Sequence, residues 1–190
     1  MIIGVLALQG AVREHVASLA RLGVSARLVK REEDLDGLSG LVLPGGESTA
    51  IALLAETGLL ERLQAYARDG FPMFGTCAGM ILLAAEVEGR EHGYIGAIDI
   101  TVARNATGRQ VNSFETMLDI EDIGERVPAV FIRAPYITRC GSTVQMMASH
   151  EGRGVMARQG STLVTSFHPE LTEDTRIHEY FVGMVKEFGN

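Results

Sequence analysis

Cys77 stands in Gly75-Thr76-Cys77-Ala78-Gly79, directly after the apolar run Phe71-Pro72-Met73-Phe74. Far downstream, another apolar stretch ends in Ser166-Phe167-His168-Pro169-Glu170. Together these offer a nucleophile, a base and an orienting carboxylate, each placed where a strand runs out. Gly-x-Cys-x-Gly between a strand and a helix has the layout of a nucleophile elbow, with Cys in place of Ser. Bulky neighbours would clash at such a strained turn, so Gly75, Ala78 and Gly79 suit it. The elbow also sets Cys77 at the N-terminus of the helix from Ala78, where unpaired N–H groups favour thiolate over thiol. The Ala78 N–H can point at a developing oxyanion.

Pro169 disfavours the helical region for His168 and holds it extended. Residues i and i+2 of an extended segment project to one side, so His168 and Glu170 can face one site. Glu170 can then accept from one imidazole nitrogen and leave the other to serve Cys77. Each element has a plainer reading: a free cysteine is often a small buried hydrophobe, and His-Pro-Glu can be a loop histidine beside a capping glutamate. The two motifs together favour the triad. Cys140, in Thr138-Arg139-Cys140-Gly141, lacks such flanks and reads as structural. His15 reads on the exposed side of the first helix and His178 on the polar side of the last. With His92 and His150 in turn-rich stretches, none of these four is assigned a catalytic role.

The elements that must position these groups follow from periodicity. Residues 2–8 form a nearly continuous apolar run, the pattern of a parallel strand covered on both faces. Val12, Val16, Leu19 and Ala20 recur at helical spacing, closed by Gly23. Strands follow over 24–29, 40–43 and 71–74, with a helix over 49–68 interrupted near Thr57-Gly58 and another over 78–87. The β-α alternation then stops, and residues 96–103, 128–132, 143–149, 154–159 and 162–167 read as strands, several antiparallel. Ile177, Tyr180, Phe181, Met184, Val185 and Phe188 make the apolar stripe of a last helix. The reading is α/β: one domain with a doubly wound core and an antiparallel extension.

A chain of 190 residues, 46% hydrophobic, can bury the core of one such domain. Its net charge of −7 argues against nucleic-acid or anionic-membrane partners, which require a basic face. Residues 1–8 are too short for a signal peptide and no apolar stretch is long enough to span a bilayer. Two cysteines make no disulfide framework and suit a reducing cytoplasm. No CxxC or paired histidines stand at metal-ligand spacing, so no metal is expected.

The motifs carry a resemblance over nearly the whole chain. They are Leu6-Ala7-Leu8-Gln9-Gly10, Leu43-Pro44-Gly45-Gly46-Glu47-Ser48-Thr49, the Cys77 elbow, Ala103-Arg104-Asn105, Gly108-Arg109-Gln110, Phe131-Ile132-Arg133-Ala134-Pro135 and the segment from Ser166 to Thr172. The chain resembles a class I, triad-type glutamine amidotransferase, and more closely the glutaminase subunits of pyridoxal 5′-phosphate synthase. Cys and His-x-Glu point only to the broad class; Pro-Gly-Gly-Glu-Ser-Thr with Phe-Ile-Arg-Ala-Pro points to the vitamin B6 branch. The resemblance implies a three-layer αβα, flavodoxin-like fold with a mixed central sheet and an antiparallel extension, one domain over 1–190. It implies hydrolysis of L-glutamine to glutamate and ammonia by Cys77, His168 and Glu170. The ammonia would pass to a separate synthase subunit, in a hetero-oligomeric complex, that builds pyridoxal phosphate from phosphosugars.

Glutamine would be held by Gly46, Glu47, Ser48, Arg104, Ile132 and Arg133. The oxyanion would be met by backbone N–H groups of Ala78 and one of Gly45 and Gly46. An arginine fork suits an α-carboxylate and Glu47 an α-ammonium. Taken alone, Pro44-Gly45-Gly46 is equally an ordinary turn and the arginines a solvated surface. No cofactor is implied, pyridoxal phosphate being the partner's product. The alternatives left open are a triad glutaminase serving a different synthase, an elbow-cysteine hydrolase of similar fold, and a non-catalytic binding subunit.

Overall fold

A computed structural model describes residues 1–46, 54, 57–104 and 113–189. Its first strands are β1 (Ile2–Leu6), β2 (Ser25–Val29), β3 (Gly40–Leu43) and β4 (Met73–Thr76), with β12 (Thr162–Thr165) laid parallel beside β4. Their order is β2-β1-β3-β4-β12. Every residue of β3, β4 and β12 is buried, as strands covered on both faces must be. The order reverses between β1 and β3, so a crevice opens at the carboxyl ends of these strands.

The pleat sends alternate residues to two cores. Ile3, Val5, Val42 and Phe74 pack with helices α1 (Val12–Arg21) and α4 (Arg176–Phe188) through Leu19, Ile177, Phe181 and Val185. Leu41, Leu43 and Met73 face the opposite side. There they meet α2 (Leu59–Arg68) and α3 (Ala78–Leu83) through Leu59, Leu63, Met80 and Leu83. The result is the α/β, three-layer arrangement expected. Gly58, in a left-handed conformation at φ 73°, starts α2 at the interruption read from the sequence. Residues 49–53, 55 and 56 of that expected helix lie outside the described residues.

Beyond β12 the sheet turns antiparallel. β11 (Arg153–Gln159) pairs with β12, with β10 (Gln145–His150) and with β9 (Tyr136–Cys140); β6 (Ile98–Ala103) follows β9. β5 (Ala84–Val87) closes this edge, parallel to β6. A separate ribbon joins β7 (Phe114–Ile120) to β8 (Gly124–Phe131). Residues 84–87 therefore correct the expected helix over 78–87: the chain turns extended at Ala84 because β6 offers a ladder to pair with. β7 and β9 fall where no strand is read from the sequence, and β8 begins four residues earlier than expected. Among the described residues no helix is long and apolar enough to cross a membrane.

Candidate active site

Three strand ends supply the site. β4 ends at Thr76, and the next residue, Cys77, takes φ 51° and ψ −105° before α3 begins. A non-glycine residue there is strained, and it is held by its N–H donating to the Thr165 carbonyl at 2.8 Å, on neighbouring β12. β12 leads to His168, whose backbone N–H donates to the Val130 carbonyl of β8 at 2.8 Å. One turn of 3-10 helix, Pro169–Leu171, then presents Glu170. β3 ends at Leu43, and Gly45, two residues on, lies between nucleophile and base. A Cβ there would sit 2.6 Å from His168 Cε1 and 3.1 Å from Cys77 Cβ, so only glycine fits.

Cys77, His168 and Glu170 meet where these segments end. His168 Nδ1 and Glu170 Oε1 are 2.7 Å apart in a buried hydrogen bond, which leaves Nε2 as the nitrogen for the Cys77 thiol. Burial opposes charge on His168, but hydrogen bonds with Cys77 and Glu170, and the charge of both, push its pKa up to about 10. His168 is thus placed to hold the proton that a nucleophilic cysteine must give up.

His15 and His178 correct the sequence reading, for both are fully buried. Helix α1 turns His15, Ser18 and Leu19 inward rather than Ala20. His15 Nδ1 meets His178 Nε2 at 2.9 Å, and His15 Nε2 lies 3.2 Å from Thr76 Oγ1 and 3.5 Å from Glu170 Oε2. Polar partners on three other elements explain why polar side chains occupy the inner face. Burial first, then the charges of His178 and His168, hold His15 well below the ordinary imidazole pKa. Burial, with Arg21 nearby, lowers His178 to about 4.

These depressed values set a pH dependence of stability. The folded chain resists protonation that the unfolded chain accepts, so stability is intact above pH 6.5 and is lost as pH falls toward 4. His178 alone accounts for about 3 kcal/mol over that window. Urea midpoints measured between pH 7 and 4 should fall steadily; a flat series would mean that the pair is not neutral and buried.

Comparison with known proteins follows the same lines. The SNO glutamine amidotransferase family model matches residues 5–187. The chain belongs to this family. It is 53% identical over 189 residues to the pyridoxal 5′-phosphate synthase subunit PdxT of Brevibacillus brevis, covering 99% of each chain. It is 54% identical to the protein of that name from Halalkalibacterium halodurans, over 97% of this chain and 95% of the other. A solved structure described as a glutamine amidotransferase superposes with a TM-score of 0.92 at 46% identity, over 98% of this chain and 100% of that one.

In a glutamine amidotransferase the groups around the thiol matter next. The Ile132 carbonyl lies 3.9 Å from Cys77 Sγ, and Arg133 beside it takes a positive φ of 45°. Arg104 leaves the end of β6, where Ala103 pairs with Tyr136. Arg104 thus follows a strand whose neighbour is anchored just before Tyr136, where the Pro135 carbonyl accepts from Ser166 Oγ. The Arg104 guanidinium donates to the Tyr94 hydroxyl at 2.5 Å. Tyr94 was not anticipated from the sequence. Gly46 is exposed at the mouth, while Glu47 and Ser48 lie outside the described residues.

Of the two alternative glycine donors, one is already engaged. The Gly45 N–H donates to Thr76 Oγ1 at 3.2 Å and so is not aimed at an oxyanion. Ala78, the first residue of α3, has an N–H with no acceptor inside its own helix.

Proposed function

We propose that residues 1–190 form one glutaminase unit in which Cys77 is the nucleophile, His168 the proton carrier and Glu170 its orienter. The carrying observation is the strained Cys77 elbow facing an imidazole whose far nitrogen is held by a buried carboxylate. The Cys77 thiolate attacks the side-chain amide carbon of L-glutamine. The oxyanion is met by the Ala78 N–H and, with Gly45 committed to Thr76, by that of Gly46; such a donor is typically worth about 3 kcal/mol. His168 gives its proton to the departing nitrogen, ammonia leaves, and a thioester remains. The same imidazole then takes a proton from the water that hydrolyses the thioester to glutamate. Arg104 or Arg133 suits the substrate α-carboxylate and Glu47 its α-ammonium, with Ser48 and the Ile132 backbone completing the cradle.

The names carried by the relatives support a place as the glutaminase subunit of pyridoxal 5′-phosphate synthase. Ammonia would pass to a synthase subunit in a hetero-oligomeric complex, and two free thiols suit the cytoplasm as the compartment. Free ammonia is lost to water, so hydrolysis should be slow until the partner docks. The Gly46 and Gln9 loops touch beside the site and are suited to that control. Glutamate release, measured with and without a synthase subunit from such a complex, should rise at least about tenfold on mixing. Glutamine-dependent formation of pyridoxal phosphate should appear in the same mixture. Equal rates and no such product would remove the assignment to this synthase while leaving the hydrolysis itself standing.

A further inference from the structure

Glu170 is a buried carboxylate with two oxygens, and the triad uses one. Oε1 takes the His168 bond at 2.7 Å. Oε2 has no hydrogen bond of ordinary length among the described residues, and its side chain is fully buried. A buried carboxylate oxygen left so is costly. Facing it at 3.5 Å is Nε2 of His15, which is fully buried too. Behind His15, at 2.9 Å from its Nδ1, stands His178 Nε2. The rings of His15 and His178 both meet the Phe74 ring edge-on, which fixes their planes.

Two neutral histidines in contact share one proton along their common axis, and the surroundings choose its direction. If His178 Nε2–H donates to His15 Nδ1, His15 carries its own proton on Nε2, toward Glu170 and Thr76. The orphan atom is then His178 Nδ1, a bare lone pair without a partner among the described residues. In the opposite arrangement His15 Nδ1–H donates to His178, and the Thr76 hydroxyl donates to His15 Nε2. That leaves a buried N–H unpaired at His178 Nδ1 and turns a lone pair of His15 toward a carboxylate. An unpaired buried donor and lone-pair repulsion both disfavour it.

We infer that His15, held as its Nε2–H tautomer by His178, is a positioning residue that fixes the Glu170 carboxylate for His168. The hydrogen-bonded line therefore runs from Cys77 through His168 and Glu170 to α1 and ends on α4. His15 touches no reacting atom and acts through Glu170 alone. The inference rests on the triad reading above. The other ionisable groups facing the pair are His168, beyond Glu170, and Arg21, near His178 and paired with Glu173 at 2.6 Å.

The test uses the enzyme in complex with its synthase partner and compares His15→Leu, His15→Gln and Cys77→Ala with the parent. His15→Leu keeps apolar bulk but removes the donor, so kcat should fall at least about tenfold with KM within about twofold. Without that donor the Glu170 carboxylate is held less firmly against His168, and the acid limb of kcat/KM should move up by about one pH unit. His15→Gln places an N–H where Nε2 stood and should recover most of both. An unchanged kcat, or a loss that glutamine does not restore and that leaves the acid limb in place, overturns the inference. Inactive Cys77→Ala beside unaffected His15→Leu would sink this step alone, whereas active Cys77→Ala would sink the triad reading beneath it. If His15→Leu does not fold, NMR of the ring-15N-labelled parent protein decides. A neutral His15 protonated at Nε2 is expected, and one protonated at Nδ1 overturns the inference.

Discussion

Replacing Cys77 by alanine should abolish release of ammonia from glutamine, by at least about 10⁴-fold, while leaving the protein folded. The backbone argument is that alanine accepts the positive φ at this turn no worse than cysteine does, and the Cys77 N–H bond to Thr165 survives. What disappears is the sulfur, and with it one of the groups that raise His168 to about 10. The proton affinity of His168 should therefore drop in the variant. A raised imidazole pKa stabilises the fold fully below pH 6.5, and that contribution is lost as pH rises toward 10. The variant should show a weaker decline of stability over this alkaline window. Both effects are measurable on one preparation, by glutamate release and by urea midpoints at pH 7 and 9.5. Turnover near the parent rate would place the nucleophile elsewhere.

How much of this was legible in the residues depends on how local each signal is. The core strands β1, β3 and β4 could be read because each lies in or beside a nearly continuous apolar run, a pattern that needs no knowledge of neighbours. Cys77 and His168 could be read because an elbow and an X-Pro step are constraints on the chain within a few residues. The inward face of α1 could not. His15 looks like a solvent residue until Thr76, Glu170 and His178 surround it, and His178 is 163 residues away. The short strand Ala84–Val87 was hidden for a similar reason. Its Ala-rich sequence favours a helix, and only the ladder offered by β6 makes it a strand. The choice between the Gly45 and Gly46 N–H groups stayed open in the sequence because the hydroxyl that claims the Gly45 N–H comes from the strand beside it. In each case a long-range polar or ladder contact overruled a local preference.

The second large effect lies two residues past the nucleophile. Gly79→Ala adds one methyl group in the first turn of α3, and that methyl would stand 2.0 Å from the Leu43 carbonyl oxygen and 2.9 Å from its carbon. Neither partner can yield easily. Leu43 is paired to Gly75 in the β3–β4 ladder, and Gly75 is itself packed against the Gly79 carbonyl, where a Cβ would come within 2.5 Å. Helix and sheet must therefore separate, and overpacking of this kind costs about 3 kcal/mol or more. The same displacement carries Cys77 and Ala78 on one side and Gly45, two residues beyond Leu43, on the other. Gly46, the proposed second oxyanion donor, moves with Gly45; a shift of about 1 Å between it and the nucleophile can cost about 100-fold in rate, so the folded fraction of Gly79→Ala should be nearly inactive. Gly183→Ala is the control, because a Cβ there meets nothing within 4 Å in the middle of α4. Removing glycine from a helix interior should raise stability by about 0.5–1 kcal/mol and leave turnover unchanged. Thermal or urea unfolding of the two variants beside the parent separates the cases. A Gly79→Ala protein as stable and active as the parent would mean that α3 is not seated on β3 as described, and the elbow geometry would have to be redrawn.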